Sequence, residues 1–223
     1  AMLAPSDIQS LSGLVLWLTF ALSAAFGAIV QRTRFCTMGA IADMVTTGST
    51  LRLRQWVLAA GVAVLGFGLL AAGGWVRAAE SVYAGPRWMW LSSLVGGAMF
   101  GVGMVLASGC GAKTLVRMGT GNLKGLVVFL VMALAAYATL RGITAVLRDA
   151  TVDRVFVEFG QPAIAGHLLA SATGWPPAQG LAVAAVLAGL PLLAWALAGK
   201  GFSTRENLLA GLGLGAIITG MWW

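Results

Sequence analysis

The fold class of this chain is decided by one stretch. Residues 88–109 read WMWLSSLVGGAMFGVGMVLASG and hold no charged side chain. A helix needs about 20 apolar residues to cross a bilayer, and this stretch has that length and composition. We therefore interpret it as a membrane-spanning helix, and we examine the rest of the chain for others.

The overall composition points the same way. The 223 residues are 59% hydrophobic and only 9% charged, whereas a soluble domain has about 25% charged residues. The net charge of +7 comes from basic residues scattered between apolar runs, not gathered on one face or tail. This scatter argues against nucleic-acid binding and is typical of the charges that orient membrane spans.

Six apolar stretches recur along the chain. They are residues 11–31, 55–76, 88–109, 123–140, 179–198 and 207–223. The most polar stretch, residues 148–158, lies between the fourth and the fifth and predicts an aqueous loop or a short surface helix. The sequence thus predicts an all-α, polytopic membrane helical bundle of about six spans, forming a single integral membrane domain over residues 1–223.

The basic residues predict the orientation, because loops rich in Lys and Arg stay in the cytoplasm. Five of the 14 fall on one side of the predicted spans and nine on the other. The nine are Arg32, Arg34, Arg52, Arg54, Lys113, Arg117, Lys124, Lys200 and Arg205. We expect this side to face the cytoplasm, with the N-terminus outside the inner membrane.

Two stretches do not fit simple spans. Residues 35–45, FCTMGAIADMV, and residues 108–119, SGCGAKTLVRMG, are helical in character but too short to cross. We interpret them as re-entrant or broken helices bearing Cys36 and Cys110. Such backbone is tolerated in a membrane only where protein or a polar cavity surrounds it.

The two cysteine stretches also resemble each other. A Phe-Gly pair stands ten and nine residues before each cysteine, as Phe26-Gly27 before Cys36 and as Phe100-Gly101 before Cys110. Few identities support this repeat. Internal repeats around a central site are nonetheless common in transporters.

A cysteine at the start of a short helix suits a small anion that contains sulfur. The first N–H groups of a helix are unpaired and lie at its positive dipole end, which attracts anions. Lys113, three residues after Cys110, adds a further positive charge. The alternative stays open that each cysteine is a small buried apolar residue.

Other polar residues receive simpler interpretations. We interpret four basic residues as charges that orient the spans rather than as ligands of a substrate. They are Arg32, Arg34, Lys113 and Arg117. Asp43 is costly in lipid and is expected either to mark function or to pair with Arg52 or Arg54. The stripe Gly96-Gly97-x-x-x-Gly101-x-Gly103 predicts close helix packing. No metal-ligand cluster or catalytic arrangement is readable, so we expect neither a cofactor nor an enzyme.

Both cysteine motifs resemble those of a known family. Residues 26–40, FGAIVQRTRFCTMGA, and residues 106–117, LASGCGAKTLVR, followed by GNLK at 121–124, are similar to the YeeE/YedE family of membrane proteins, whose characterised members take up thiosulfate. The resemblance implies an inner-membrane transporter of thiosulfate or a related small sulfur-containing anion, with cysteines along its conduction path. The pathway residues that it implies here are Cys36, Thr37, Gly109, Cys110, Gly111 and Lys113.

The chain also departs from the family. Family members run well beyond this length and carry a further cysteine in a later half, whereas this chain has two cysteines. We therefore expect a fragment, a short variant, or one part of a split transporter that pairs with a partner subunit or forms a homo-oligomer. Two other functions stay open: a membrane thiol enzyme, such as a sulfur transferase or disulfide oxidoreductase, and a non-catalytic subunit.

Overall fold

The chain is almost entirely helical. The computed structural model describes residues 5–81, 84–160, 164–199 and 201–222, without the side chains of residues 5–9 and 80. In chain order the helices are α1 Pro5–Thr33, α2 Thr37–Thr46, α3 Leu51–Ala72, α4 Trp90–Leu106, α5 Gly111–Gly119, α6 Leu123–Arg141, α7 Ile143–Ala150, α8 Ala165–Thr173, α9 Pro177–Leu197, α10 Arg205–Leu208 and α11 Leu214–Trp222.

Within the described residues, five helical segments are long and apolar enough to cross a membrane. They are Ser10–Thr46, Leu51–Ala72, Trp90–Gly119, Leu123–Arg141 and Pro177–Leu197. The predicted all-α polytopic bundle is thus confirmed, and the protein is a multi-pass membrane protein. The sixth apolar stretch is a helix interrupted by a π-helical turn, Leu209–Gly213, between α10 and α11. Lys200 and Trp223, which the sequence analysis included in its assignments, lie outside the described residues.

The core of the bundle surrounds α3, which packs against α9 and α11. The helices approach so closely that glycine is required at their contacts. A Cβ at Gly68 of α3 would overlap Ala185 of α9, and a Cβ at Gly215 of α11 would lie 2.6 Å from the Cβ of Val62. The many glycines in the sequence therefore serve, at these positions, the close packing of α3.

A second part of the core joins the two short helices to this centre. Val30 of α1, Ala59 of α3 and Leu214 of α11 form a buried cluster. Phe35, just before α2, and Val116 of α5 pack against that cluster. The cluster therefore fixes both cysteine-bearing segments against the same three long helices.

Helix α4 stands at the edge of the bundle and buries none of its residues. The glycine stripe from Gly96 to Gly103 was predicted to pack closely against another helix. No other part of the described chain lies within 4 Å of the Cβ positions of its four glycines. Within the described residues the predicted packing is therefore absent, because the stripe faces away from the bundle.

The polar stretch between α6 and α8 is folded rather than irregular. It contains the short helix α7, as predicted, with an ion pair of 2.8 Å between Arg148 Nε and Asp153 Oδ2. Strands β1 (Arg87–Trp88) and β2 (Val157–Glu158) pair in antiparallel register.

Candidate functional site

Each cysteine lies at the N-cap of a short helix. Cys36 precedes α2 and Cys110 precedes α5, both with extended backbone. The two helices begin two and three residues after the starts of the predicted short segments 35–45 and 108–119, and they end within a residue of those segments. Both thiols are free, and each cysteine is buried, with 6% of its surface exposed.

The same local structure leads into both cysteines. The residue two positions earlier has a left-handed backbone, with φ of 53° at Arg34 and 56° at Ser108. The residue directly before each cysteine donates its N–H to the carbonyl oxygen five residues back, at 3.2 Å before Cys36 and 3.1 Å before Cys110. This is the Schellman-type end of an α-helix. The internal repeat indicated weakly by sequence is thus a repeat of backbone structure.

The two cysteines meet in space. Their Sγ atoms lie 3.5 Å apart, close enough for a weak S–H···S hydrogen bond in either direction. The N–H of Gly39 in the first turn of α2 also donates to Cys36 Sγ, at 3.4 Å. The Thr114 hydroxyl donates to the Cys110 carbonyl oxygen at 3.3 Å. The predicted pathway cysteines therefore form one buried dithiol centre.

A cavity of about 270 Å³ opens beside Cys36. Among the described residues, its lining contains four cationic side chains and no carboxylate. The residues that line it are Val30, Gln31, Arg34, Phe35, Cys36, Arg52, Lys113, Val116 and Arg117. A cavity with this charge attracts anions and brings them to one thiol of the pair.

Arg52 is fixed by neighbours on α2. Its Nε lies 3.2 Å from Asp43 Oδ2, so one of the two predicted partners of Asp43 is confirmed. Its Nη1 lies 2.7 Å from the point that a Cβ at Gly39 would occupy. The guanidinium therefore fills the space left by the missing side chain of Gly39, next to Cys36.

Arg117 also contacts the residues that precede a cysteine-bearing helix. Its Nη1 donates to the carbonyl oxygen of Ser108 at 3.4 Å. Ser108 is the left-handed residue that introduces Cys110. Arg117 thus lines the cavity and contacts the loop before the second cysteine at the same time.

The remaining predicted site residues lie around the dithiol centre. Thr37 is the first residue of α2. A Cβ at Gly109 would lie 3.1 Å from Lys113 Cδ, and a Cβ at Gly111 would lie 3.6 Å from Met132 Cε. Gly109 therefore leaves room for the aliphatic stem of Lys113, which reaches the cavity.

Sequence reasoning missed Gln31, Arg34, Arg52 and Arg117 as cavity residues. It counted the three arginines as charges that orient the spans. A basic residue near the end of a span fits the orientation rule whether or not it also lines a cavity. The one available signal was Asp43, whose cost in lipid pointed to a nearby cation. No group of three or more His, Cys, Asp or Glu side chains in the described ranges could hold a metal ion.

A second cavity, of about 550 Å³, lies on the other flank of α1 and α5. It shares Val30, Gln31 and Val116 with the first cavity and is bounded further by Phe26 and Met221. Its walls carry no charged side chain. The cationic lining is therefore confined to the cavity that contains Cys36.

Comparison with known proteins agrees with this picture. The profile of a family described as "Sulphur transport" matches residues 32–222. Over 99 residues the chain is 34% identical to the thiosulfate transporter TsuA of Escherichia coli, covering 44% of this chain and 26% of that protein. Over 129 residues it is 29% identical to the thiosulfate transporter TsuA of Spirochaeta thermophila, covering 57% and 37% of the two chains. It is also 30% identical over 97 residues to the probable transporter YedE of Escherichia coli, covering 44% and 22%.

Proposed function

Since the chain belongs to the sulphur transport family, we propose that it takes up thiosulfate or a closely related small sulfur-containing anion across the inner membrane. The matched segments span only 26% and 37% of the two TsuA relatives. Uptake by this chain, its substrate and its partners are therefore proposals.

One observation carries the proposal: the dithiol centre formed by Cys36 and Cys110 opens into a cation-lined cavity. An anion that enters a membrane protein loses its hydration shell, and that loss is costly unless other groups replace the water. Here guanidinium and ammonium groups supply charge, and the first N–H groups of α2 and α5 supply donors. The thiols add weak donors and polarizable sulfur, which match the terminal sulfur of thiosulfate.

The distance between the thiols bears on how the anion passes. Two sulfur atoms 3.5 Å apart are in contact, so no anion fits between them. We infer that the anion is handed from one thiol to the other while α2 and α5 move slightly apart. The contact between the sulfur atoms supports a path that is closed here between transport events, as it must be if the membrane is not to leak.

The orientation follows from the same charges. All four cations of the cavity belong to the set of nine basic residues assigned to the cytoplasmic side. We infer that the cavity opens to the cytoplasm and that the N-terminus lies outside. In this arrangement the cations hold the anion after it has passed the thiols.

The open glycine stripe of α4 supports the predicted partner subunit or homo-oligomer. Small residues in a membrane helix let a second helix approach closely, and Gly97 and Gly101 are spaced by four positions. No described part of this chain covers them. We infer that a further helix of the transporter assembly packs there.

A second function is favoured by one feature, the short Sγ–Sγ distance. A thiol enzyme of this kind needs paired cysteines, and although 74 positions separate the two cysteines in sequence, the fold brings them into contact. A disulfide oxidoreductase would exchange its cysteine pair with an external dithiol. Transport accounts for the cationic cavity as well, which dithiol exchange does not need.

One experiment separates the two functions. The chain is purified, reconstituted into vesicles, and supplied with radiolabelled thiosulfate and, separately, with a fluorescent disulfide substrate and a dithiol as reductant, each compared with vesicles that lack the protein. Transport predicts that label accumulates inside vesicles, saturably and only with the protein present, while the disulfide substrate stays intact. Turnover of the disulfide without accumulation of label would replace transport by the enzyme function.

A further inference from the structure

Arg52 makes two contacts with α2 that fix its side chain. It lies in the first turn of α3, and its Nε pairs with Asp43 of α2 at 3.2 Å. Both side chains are about one-third exposed. An ion pair this exposed contributes little to stability, so stability alone explains it poorly.

The second contact directs the guanidinium toward the dithiol centre. Its Nη1 occupies the space above Gly39, and the Gly39 N–H is the donor to Cys36 Sγ. The missing Cβ of Gly39 would also lie 3.5 Å from the Cys36 Cβ. The Arg52 guanidinium therefore lies next to the Cys36 thiol, where an anion would bind.

The guanidinium retains donors for a ligand. It has five N–H donors in a planar fork, and the ion pair with Asp43 engages its Nε. Arg52 also lines the cavity that contains Cys36. The remaining donors can therefore bind the oxygen atoms of an anion whose other end contacts the thiol.

The charge of the cavity indicates which anions fit. Arg34, Lys113 and Arg117 line it with Arg52, and none of its lining side chains is a carboxylate. Asp43 offsets part of the charge of Arg52 only. Each nearby cation attracts an anion of charge −2 more strongly than an anion of charge −1. Such an excess of positive charge therefore favours the dianion.

We propose that Arg52 is a substrate-binding residue that selects sulfur dianions, and that Asp43 and Gly39 position it. The inference rests on the proposed function and deepens it. Arg52 binds the sulfonate-like oxygens, while Cys36 faces the terminal sulfur. Thiosulfate has this two-ended shape, and the methanethiosulfonate anion is its natural comparison, since a methyl group replaces one oxygen and the charge falls to −1.

The test measures uptake of radiolabelled thiosulfate, and its inhibition by methanethiosulfonate, in wild-type vesicles and in variants. Arg52→Gln should raise the KM for thiosulfate about tenfold, equivalent to about 1.4 kcal/mol, with a smaller change in the inhibition constant of methanethiosulfonate. Arg52→Lys should recover part of the loss, since it keeps the charge without the planar fork. Arg32→Gln removes an exposed charge from the last turn of α1, outside the cavity lining, and should change neither constant.

Two further variants distinguish positioning from bulk charge. Asp43→Asn makes the site more positive, so attraction by charge alone predicts a lower KM, whereas loss of positioning predicts a higher one. Gly39→Ala changes no charge but displaces the flexible end of Arg52, and it should raise the KM. Gly13→Ala, at a helical glycine with open space around it, is its matched control.

Equal effects of Arg52→Gln on both anions, or a lower KM in Asp43→Asn, would overturn the assignment. If wild-type vesicles accumulate no label, the proposed function fails separately. The assignment is then tested by thermal stabilisation of the detergent-purified protein with thiosulfate. Stabilisation that Arg52→Gln abolishes and Arg32→Gln retains supports it, and equal stabilisation of all three proteins rejects it.

Discussion

The Sγ atoms of Cys36 and Cys110 lie 3.5 Å apart, although 74 positions separate the two residues in the chain. Each thiol is placed by the N-cap of its own short helix. Both helices rest on the cluster formed by Val30, Ala59 and Leu214. The distance between the thiols therefore depends on the packing of helices from two repeats, and it is sensitive to small movements between them.

Oxidation should join the two thiols. Diamide takes up two electrons and two protons from a thiol pair and leaves a disulfide, and sulfurs already in contact need a shift of only about 1.5 Å to bond. We expect diamide to remove both free thiols, counted with a maleimide after denaturation, and to stop thiosulfate uptake until dithiothreitol is added.

Cys36→Ser provides the control for this oxidation. It should keep its one free thiol under the same treatment, and its uptake, at whatever level, should not respond to diamide. Two free thiols in the oxidised wild-type protein would contradict the contact between Cys36 and Cys110.

Cys110→Ala should abolish or strongly reduce uptake in a correctly inserted protein. The loss of one small side chain costs roughly 1 kcal/mol of stability, so a packing role predicts retained transport. Cys110→Ser separates the chemistry: it should restore uptake if a hydrogen-bond donor suffices, and it should stay impaired if the polarizable sulfur is required.

The same series applies to Cys36, with the amount of protein in the membrane measured for each variant. Normal uptake by the Cys36→Ala, Cys110→Ala double variant would leave the thiol pathway without support, even for a working transporter.

The orientation can be read with reporter fusions. Green fluorescent protein placed after Thr50 or Gly121 should fluoresce, since both loops are assigned to the cytoplasm, and alkaline phosphatase placed after Thr151 should be active outside. The opposite result at both cytoplasmic positions would reverse the proposed direction of the cavity.

Packing of the bundle predicts a sharp contrast between glycines. Gly68→Leu has no room against Ala185 and should destabilise the protein by about 1–3 kcal/mol, the usual cost of overpacking. Gly96→Leu on the open face of α4 should leave the thermal unfolding of the isolated chain unchanged. A lower unfolding temperature for Gly96→Leu in the isolated chain would contradict the open face of α4.

Much of this fold was predictable because its signals are local. The apolar stretches have the length of a bilayer, and the two cysteine segments are too short to cross it, so both kinds of helix follow from the sequence. The N-cap position of each cysteine follows from the same segments. The π-helical turn at Leu209–Gly213 was not foreseen, since it depends on the fit of that helix against α3.

The site was harder to predict because its contacts are distant in sequence. No local pattern shows that Cys36 and Cys110 touch, or that Arg52 passes over Gly39. A basic residue near the end of a span satisfies the orientation rule whether or not it also lines a cavity. Sequence reasoning recovered the residues next to the two cysteines and Lys113. Of the cavity residues that it missed, Gln31, Arg34 and Arg117 lie inside the two motifs, and Arg52 lies outside them.

The left-handed residues Arg34 and Ser108 introduce both cysteines with the same backbone, and this likeness has a consequence for speed. An anion that passes from one thiol to the other, as we propose, exchanges one helix N-terminus for another that follows the same backbone turn. The turns themselves therefore add little energy difference that would slow the transfer. The difference between the two thiols comes from the cations beside Cys36, so release of the anion from those cations is the step that limits the rate under the proposed mechanism.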